Sequence, residues 1–326
     1  MSMFTHPVNL IAAICCLVFI SFSPAEARVS ASIGTGYLAG DTQYQIGGSV
    51  INAAGVTEYH FPISELKFPL DAVMVKGTVT VDFAKRWTLM ASASTNITDD
   101  TGKMEDSDWG IWDWSSPGSL DIYSESDTDM DALLLEGKVS FMFCQGYYGQ
   151  SSTNGMANSD IRFKFLAGLG YKYQEFDFEV SNFDQWYPSV PAAPHDRVSG
   201  LGLTYEAEYH IPYLELSMEM NVAEKFLLEI GLAYAPFVDF QDEDQHLLRD
   251  LKAISDHDWD GDAMFVRLRA RYNFNRHWYL ETDFEAMKIE SEGRSDTYLS
   301  GVWNHSIDNE VESQQYSAYL SIGASF

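Results

Sequence analysis

The chain has 326 residues, 48 of them acidic and only 20 lysine or arginine, for a formal net charge of −28. A surface so acidic excludes nucleic acid as a partner, since binding to phosphates draws on basic residues. It can attract cationic peptides or metal ions, or keep long loops solvated.

In chain order, an apolar run over residues 8–22 precedes Ser23-Pro24 and Ala25-Glu26-Ala27. This is the pattern of a signal peptide with a small-residue cleavage site, and residues 1–27 are assigned to it, although only His6 precedes the run where Lys or Arg is usual. Nothing later in the chain replaces that run as a spanning helix, which needs about 20 apolar residues. Any membrane residence then rests on strands. Cys15 and Cys16 fall inside the signal, so Cys144 stands alone. With no intramolecular disulfide, an exported chain must draw stability from elsewhere, and a closed hydrogen-bonded barrel supplies it. Cys144 ends the apolar stretch Val139-Ser-Phe-Met-Phe-Cys144 with no His beside it, which argues against a thiol nucleophile.

From residue 28 onward, alternation with period two recurs and helical periodicity is scarce. Strands are predicted at 28–47, 57–83, 87–98, 130–146, 161–181, 198–220, 225–240, 259–274, 277–291 and 312–326. Ten is an even number, so tight turns at 84–86, 221–224 and 273–276 alternate with long polar loops near 48–56, 99–126, 182–197, 241–258 and 292–311. Apolar parity flips at Ile211-Pro212-Tyr213, from Tyr205, Ala207 and Tyr209 to Leu214, Leu216 and Met218, which predicts a bulge there. Around the 273–276 turn, Arg267, Arg269 and Arg271 alternate with apolar residues on one strand, and Glu281, Asp283 and Glu285 do so on the next. Apolar-out with ionic-in gives a lipid-facing belt around a lumen filled by cross-strand ion pairs. The last strand places Tyr316, Ala318, Leu320, Ile322, Ala324 and Phe326 on one face. The fold class that follows is all-β: a transmembrane, antiparallel, up-and-down β-barrel of about ten strands with long extracellular loops, one domain over 28–326.

Two loops carry candidate chemistry: Met104-Glu-Asp106-Ser-Asp108-Trp109 and Asp242-Glu-Asp244-Gln-His246. Asp-x-His lets a carboxylate fix the tautomer of an imidazole base, and Asp-x-Asp offers two carboxylates that could hold a water. Spacing alone is weak evidence in so acidic a chain, as the run of Asp127, Asp129 and Asp131 illustrates.

Taken in order, Leu38-Ala-Gly40, Met104 to Trp109, Ser115-Ser-Pro-Gly118, Ile211-Pro-Tyr213, the Asp-x-Asp-x-His of 242–246 and the terminal Phe326 resemble the omptin family of outer-membrane proteases over nearly all the mature chain. The resemblance implies a water-dependent endopeptidase of the bacterial outer membrane, its active site facing the exterior. Asp106 and His246 would hold the attacking water, Asp244 would orient His246, Asp108 would support Asp106, and neither metal nor cofactor would be used. The family places two acids in the pocket for a basic side chain; Asp242 matches one, and Tyr44 stands where the other is expected, which implies a weaker preference for cationic peptide or protein substrates. Basic lipopolysaccharide-binding positions of the family correspond to Glu175 and Glu208, implying that this lipid dependence is altered or absent unless divalent cations bridge.

Other motifs have blander readings. The run from Asp256 to Asp262 mimics half a calcium loop, but Arg267 occupies the twelfth position where Glu is needed, so a solvated acidic loop is expected. Trp109, Trp112, Trp114 and Trp186 read as girdle or loop packing before cleft lining. The alternative function is a non-enzymatic barrel, an adhesin or cation-binding surface protein. A porin is weaker still, because a ten-stranded barrel with ion-paired side chains inside is narrow.

Overall fold

The computed structural model describes residues 27–112, 118–148, 161–223 and 225–326; the proposed signal segment up to residue 26, Trp114 and the 115–117 stretch lie outside them. The elements are β1 (Arg28–Asn52), β2 (Gly55–Glu58), β3 (Ser64–Pro69), β4 (Ala72–Phe83), β5 (Trp87–Asn96), β6 (Asp100–Trp109), β7 (Leu120–Tyr148), β8 (Ile161–Trp186), β9 (Asp196–Val222), β10 (Phe226–His246), β11 (Leu251–Asp256), β12 (Gly261–Asn273), β13 (Trp278–Leu299) and β14 (Val302–Ser325).

Three staves of the wall are each made of two strands end to end. β3 continues β4 along β1, β6 continues β5 along β7, and β11 continues β12 between β10 and β13. Counted this way the ring has ten antiparallel staves, closed by β1 on β14 from Ser30↔Ser325 to Asn52↔His305. β2 folds back on the tip of β1. The end holding Arg28 and Ser325 is called lower here, the opposite end upper.

The wall reverses its chemistry partway up. On β9, odd-numbered residues point inward from Leu203 to Ser217, and the pairing with β8 runs through Ile211, Pro212 and Tyr213 without a shift. Below Tyr213 the inward residues are Glu215 and Ser217, while outward Leu214 and Leu216 are 61% and 64% exposed. Above it, inward Tyr209 and Tyr205 are buried and outward residues are Glu206, Glu208 and His210. What looks in sequence like a parity flip is a change of surroundings. In the lower half the outside meets lipid and takes apolar side chains; in the upper half it meets water and the inside becomes the core. The bulge lies on the neighbouring strand instead: β10 inserts one extra residue between Tyr234 and Asp239 relative to both β9 and β12. Pro236 sits within it, where a missing N–H donor does least harm to the ladder.

Exposed aromatics bracket the belt, with Tyr37, Tyr171, Tyr234 and Tyr316 above and Trp87, Tyr272, Trp278 and Phe326 below, the positions of interfacial girdles. Inside the belt the expected ion pairs form in register: Arg267 faces Glu285, Arg269 faces Asp283 and Arg271 faces Glu281. Arg267 reaches Glu285, Glu136 and Glu215 at 2.7, 2.8 and 2.9 Å, and Lys138 joins Glu215 at 2.5 Å. Such side chains are tolerated away from water only because each finds a partner of opposite charge. Over this ionic layer lies an aromatic one, in which Phe68 stacks on Tyr205 at 4.5 Å and packs on Phe178 at 4.9 Å.

The long loops expected from sequence are the main correction. Much of 99–126, 241–258 and 292–311 is strand, with β6, β10, β11 and β13 carrying the wall well above the belt, while 182–197 is strand only at its two ends. Above lipid a strand no longer needs an apolar outer face, so the alternation that marks strands lower down fades. The two acidic motifs therefore stand on strands, a stiffer mounting than loops.

Candidate active site

Asp106 and Asp108 lie two apart on β6 and so share its inward face. Asp106 stands opposite Leu66 of β3 and Ser124 of β7; Asp108 stands opposite Ser64 and Ile122. From the other side of the mouth, Asp242, Asp244 and His246 project from one face of β10, opposite Ala207, Tyr205 and Leu203 of β9.

His246 Nε2 lies 3.2 Å from Asp244 Oδ2. That contact fixes the ring so that its other nitrogen is free for a second partner. Asp244 Oδ2 also accepts the hydroxyl of Tyr44, which reaches across from β1. Asp106 Oδ1 and Asp244 Oδ1 are buried and have no hydrogen-bond partner among the described residues. Buried oxygens left bare are uncommon and mark places where a polar ligand fits.

Electrostatics tie the two pairs together. Burial, then the neighbouring charge of Asp108, pushes the Asp106 carboxyl up to about 7, while His246 and Arg249 pull the other way. Asp108 is also raised by burial, against the Ser64 hydroxyl and Arg249. Burial would lower His246, but the hydrogen bond and charge of Asp244, with Asp106 adding to them, outweigh it and raise the imidazole above its ordinary value. Asp106, Asp108, Asp244 and His246 thus sense one another across the mouth, which groups remote in space and screened by water would not do.

Asp242 sits deeper. Its carboxylate accepts the Tyr205 hydroxyl and the Ser255 backbone N–H, both at 3.1 Å. Burial pushes it up to about 7 despite those donors. Tyr44, expected beside the substrate, is packed between Phe68 and Tyr205, with its hydroxyl on Asp244.

Arg249, in the turn between β10 and β11, is the residue that sequence reasoning passed over. Its charge bears on Asp106, Asp108 and His246. A lone arginine in a polar segment gives no motif, and only the hairpin brings it to the mouth. Of the tryptophans, Trp186 packs on Tyr123 of β7 and on His195, and Trp112 lies near Tyr187. Among the described residues, the three acids whose oxygens lie within 4.8 Å of one another are Glu175, Asp177 and Glu206 on the outer wall, not the Asp256 to Asp262 run. His257 within that run turns inward and hydrogen-bonds Ser291 Oγ at 2.8 Å.

A family model described as the Omptin family matches residues 25–326. Among solved structures, the outer membrane protease OmpT from Escherichia coli is similar at a TM-score of 0.74 and 19% identity, covering 94% of this chain and 98% of that one. The outer membrane protein OprG from Pseudomonas aeruginosa reaches a TM-score of only 0.38 at 10% identity, with 93% and 96% covered. None of the curated proteins compared matches the sequence.

Proposed function

The chain belongs to the omptin family, outer-membrane β-barrels, and we propose that it is an endopeptidase that cleaves peptides or proteins with an activated water at the exterior mouth of the barrel. What supports this reading is that an Asp–Asp pair from β6 and an Asp–His pair from β10 bear on one another's charge, with one buried oxygen of Asp106 left without a partner among the described residues.

In this mechanism a water lies between Asp106 and the free nitrogen of His246. The neutral imidazole takes its proton as the oxygen attacks the peptide carbonyl, and Asp244 stabilises the imidazolium that forms. Asp108 keeps its neighbour's proton affinity high. No acyl-enzyme arises, because the nucleophile is water. Asp242 is the acid for a cationic side chain; alone, and titrating near 7, it gives a milder and more pH-dependent preference than two acids would. The acidic outer wall, net charge −28, favours cationic substrates. Glu175 and Glu208 stand opposite each other above the girdle, both accepting from the Tyr173 hydroxyl. They would repel lipid phosphates, so dependence on lipopolysaccharide is altered or absent.

The test is cleavage of a mixed peptide library by the refolded barrel beside an Asp106→Ala, His246→Ala double variant. Cutting after Arg or Lys by the first alone supports the reading. If neither cuts under any lipid or calcium condition, the protease is wrong and the acidic walls are a binding surface.

A further inference from the structure

Tyr44 and Asp244 are 200 positions apart in sequence and lie on opposite sides of the mouth, yet the phenol of one donates to the carboxylate of the other. We propose that Tyr44 is a positioning residue for the Asp244–His246 pair, acting on the imidazole by taking a share of the carboxylate oxygen that His246 also uses. The proposal rests on the functional reading above and assigns within it a role to a residue outside the water-holding set.

Three features of the site lead to it. First, Tyr44 is held rigidly. It is 6% exposed, with its ring between Phe68 at 6.4 Å and Tyr205 at 5.3 Å between centroids. A phenol so enclosed has two ways to satisfy its hydroxyl: keep its partner or break the packing. Second, both donors use one atom. Asp244 Oδ2 takes Tyr44 and His246, while Oδ1 has no partner among the described residues. The carboxylate is thereby pinned at its working oxygen from β1 and from its own strand, which fixes the plane in which His246 is held.

Third, sharing has a direction. A hydrogen bond to the charged form of Asp244 withdraws negative charge from the oxygen facing His246, and so weakens the stabilisation of the imidazolium. Tyr44 therefore holds the imidazole closer to neutral, the state in which it can accept a proton from water. The other charged groups bearing on the ring are Asp106 and Asp108 from β6 and Arg249 in the β10–β11 turn; Asp242 stands further down the same face of β10. Asp242 is occupied by Tyr205 and Ser255. Asp244 is thus the group through which Tyr44 acts.

The experiment is Tyr44→Phe, which removes one oxygen and keeps the ring. The His246 ring is titrated by NMR in the refolded, histidine-labelled barrel in detergent, its signal identified by its disappearance in His246→Gln. The midpoint is expected to move up by about half to one pH unit, equivalent to a roughly threefold to tenfold loss of kcat on the acid side. KM should be unchanged, and the deficit should shrink as the pH is raised. Tyr44→Gln, which keeps a donor, should hold the midpoint nearer to wild type. An unmoved midpoint in Tyr44→Phe overturns the proposal, whether KM rises, as direct contact with substrate would require, or kcat falls equally at all pH values, as loosened packing would require. The titration needs no turnover, so it decides this point even if the wild type proves unable to cleave peptides.

Discussion

The lower and upper halves of the barrel are built by the same strands and both bury charge, but they treat it in opposite ways. In the belt, Arg267 is surrounded by Glu136, Glu215 and Glu285, and Arg269 by Asp283 and Glu229; each charge is neutralised by a neighbour. At the mouth, Asp106, Asp108, Asp242 and Asp244 share one end of the barrel, Arg249 bears on the first two, and two of the acids' oxygens are bare among the described residues. A buried charge with a partner is scaffold, because its chemistry has been spent on that partner. Asp106, buried beside the like charge of Asp108 and with one oxygen bare, has a raised proton affinity instead, the mark of a group kept for chemistry.

The largest expected effects come from exchanging one residue in each half. Asp106→Asn should lower kcat/KM by about 10³-fold, since the attacking water loses one of the two groups that hold it for proton transfer, with the thermal melt unchanged. Arg267→Met should do the reverse, destabilising the barrel by about 3 kcal/mol by leaving Glu136, Glu215 and Glu285 to share Lys138 and Lys172, while the folded fraction retains its kcat. If Arg267→Met were the inactive variant and Asp106→Asn the unstable one, the division between scaffold and site would be wrong.

The pH profile sharpens the contrast. A water held by Asp106 and His246 needs both deprotonated, and both are raised above their ordinary values. The rate should therefore climb as pH rises through about 7. An acid limb near 4 would mean that the mouth carboxylates are hydrated like surface ones. A smaller effect is expected from Asp242→Asn. It should raise KM for peptides with a basic residue before the cut bond by about tenfold at pH 8, one step of about 1.4 kcal/mol. At pH 6 the change should be less, because Asp242 is then already largely neutral. The smallest is Arg249→Ala. Since Arg249 lowers Asp106, Asp108 and His246 alike, its loss should move the acid limb up by a few tenths of a unit, an effect that fades in about 1 M salt, where the Debye length is about 3 Å.

The two halves were also unequally legible in the sequence. In the belt, lipid on one side and ion pairs on the other impose strict alternation, so the arginines of β12 and the acids of β13 could be paired from their spacing, and the structure has them in register. Above it, water outside permits Glu206 and Glu208 where the belt demands Leu214 and Leu216, and β6, β11 and the upper ends of β10 and β13 fall in segments whose sequence predicts loops. The same inversion made Ile211-Pro212-Tyr213 look like a bulge, while the real one, around Pro236, left no parity signal. At the site, Asp-x-Asp and Asp-x-His were visible as local spacings. The Tyr44 contact with Asp244 was not, because it depends on ring closure across the barrel.

The central claim is that the β6 and β10 pairs act as one unit on one water, and a double-mutant cycle tests it directly. Asp106→Asn, His246→Ala and the double variant are compared by kcat/KM on one peptide. Groups that work on the same step are not additive, so the double variant should be about as impaired as the worse single one. If the losses multiply instead, the two pairs act independently, and the shared water is contradicted.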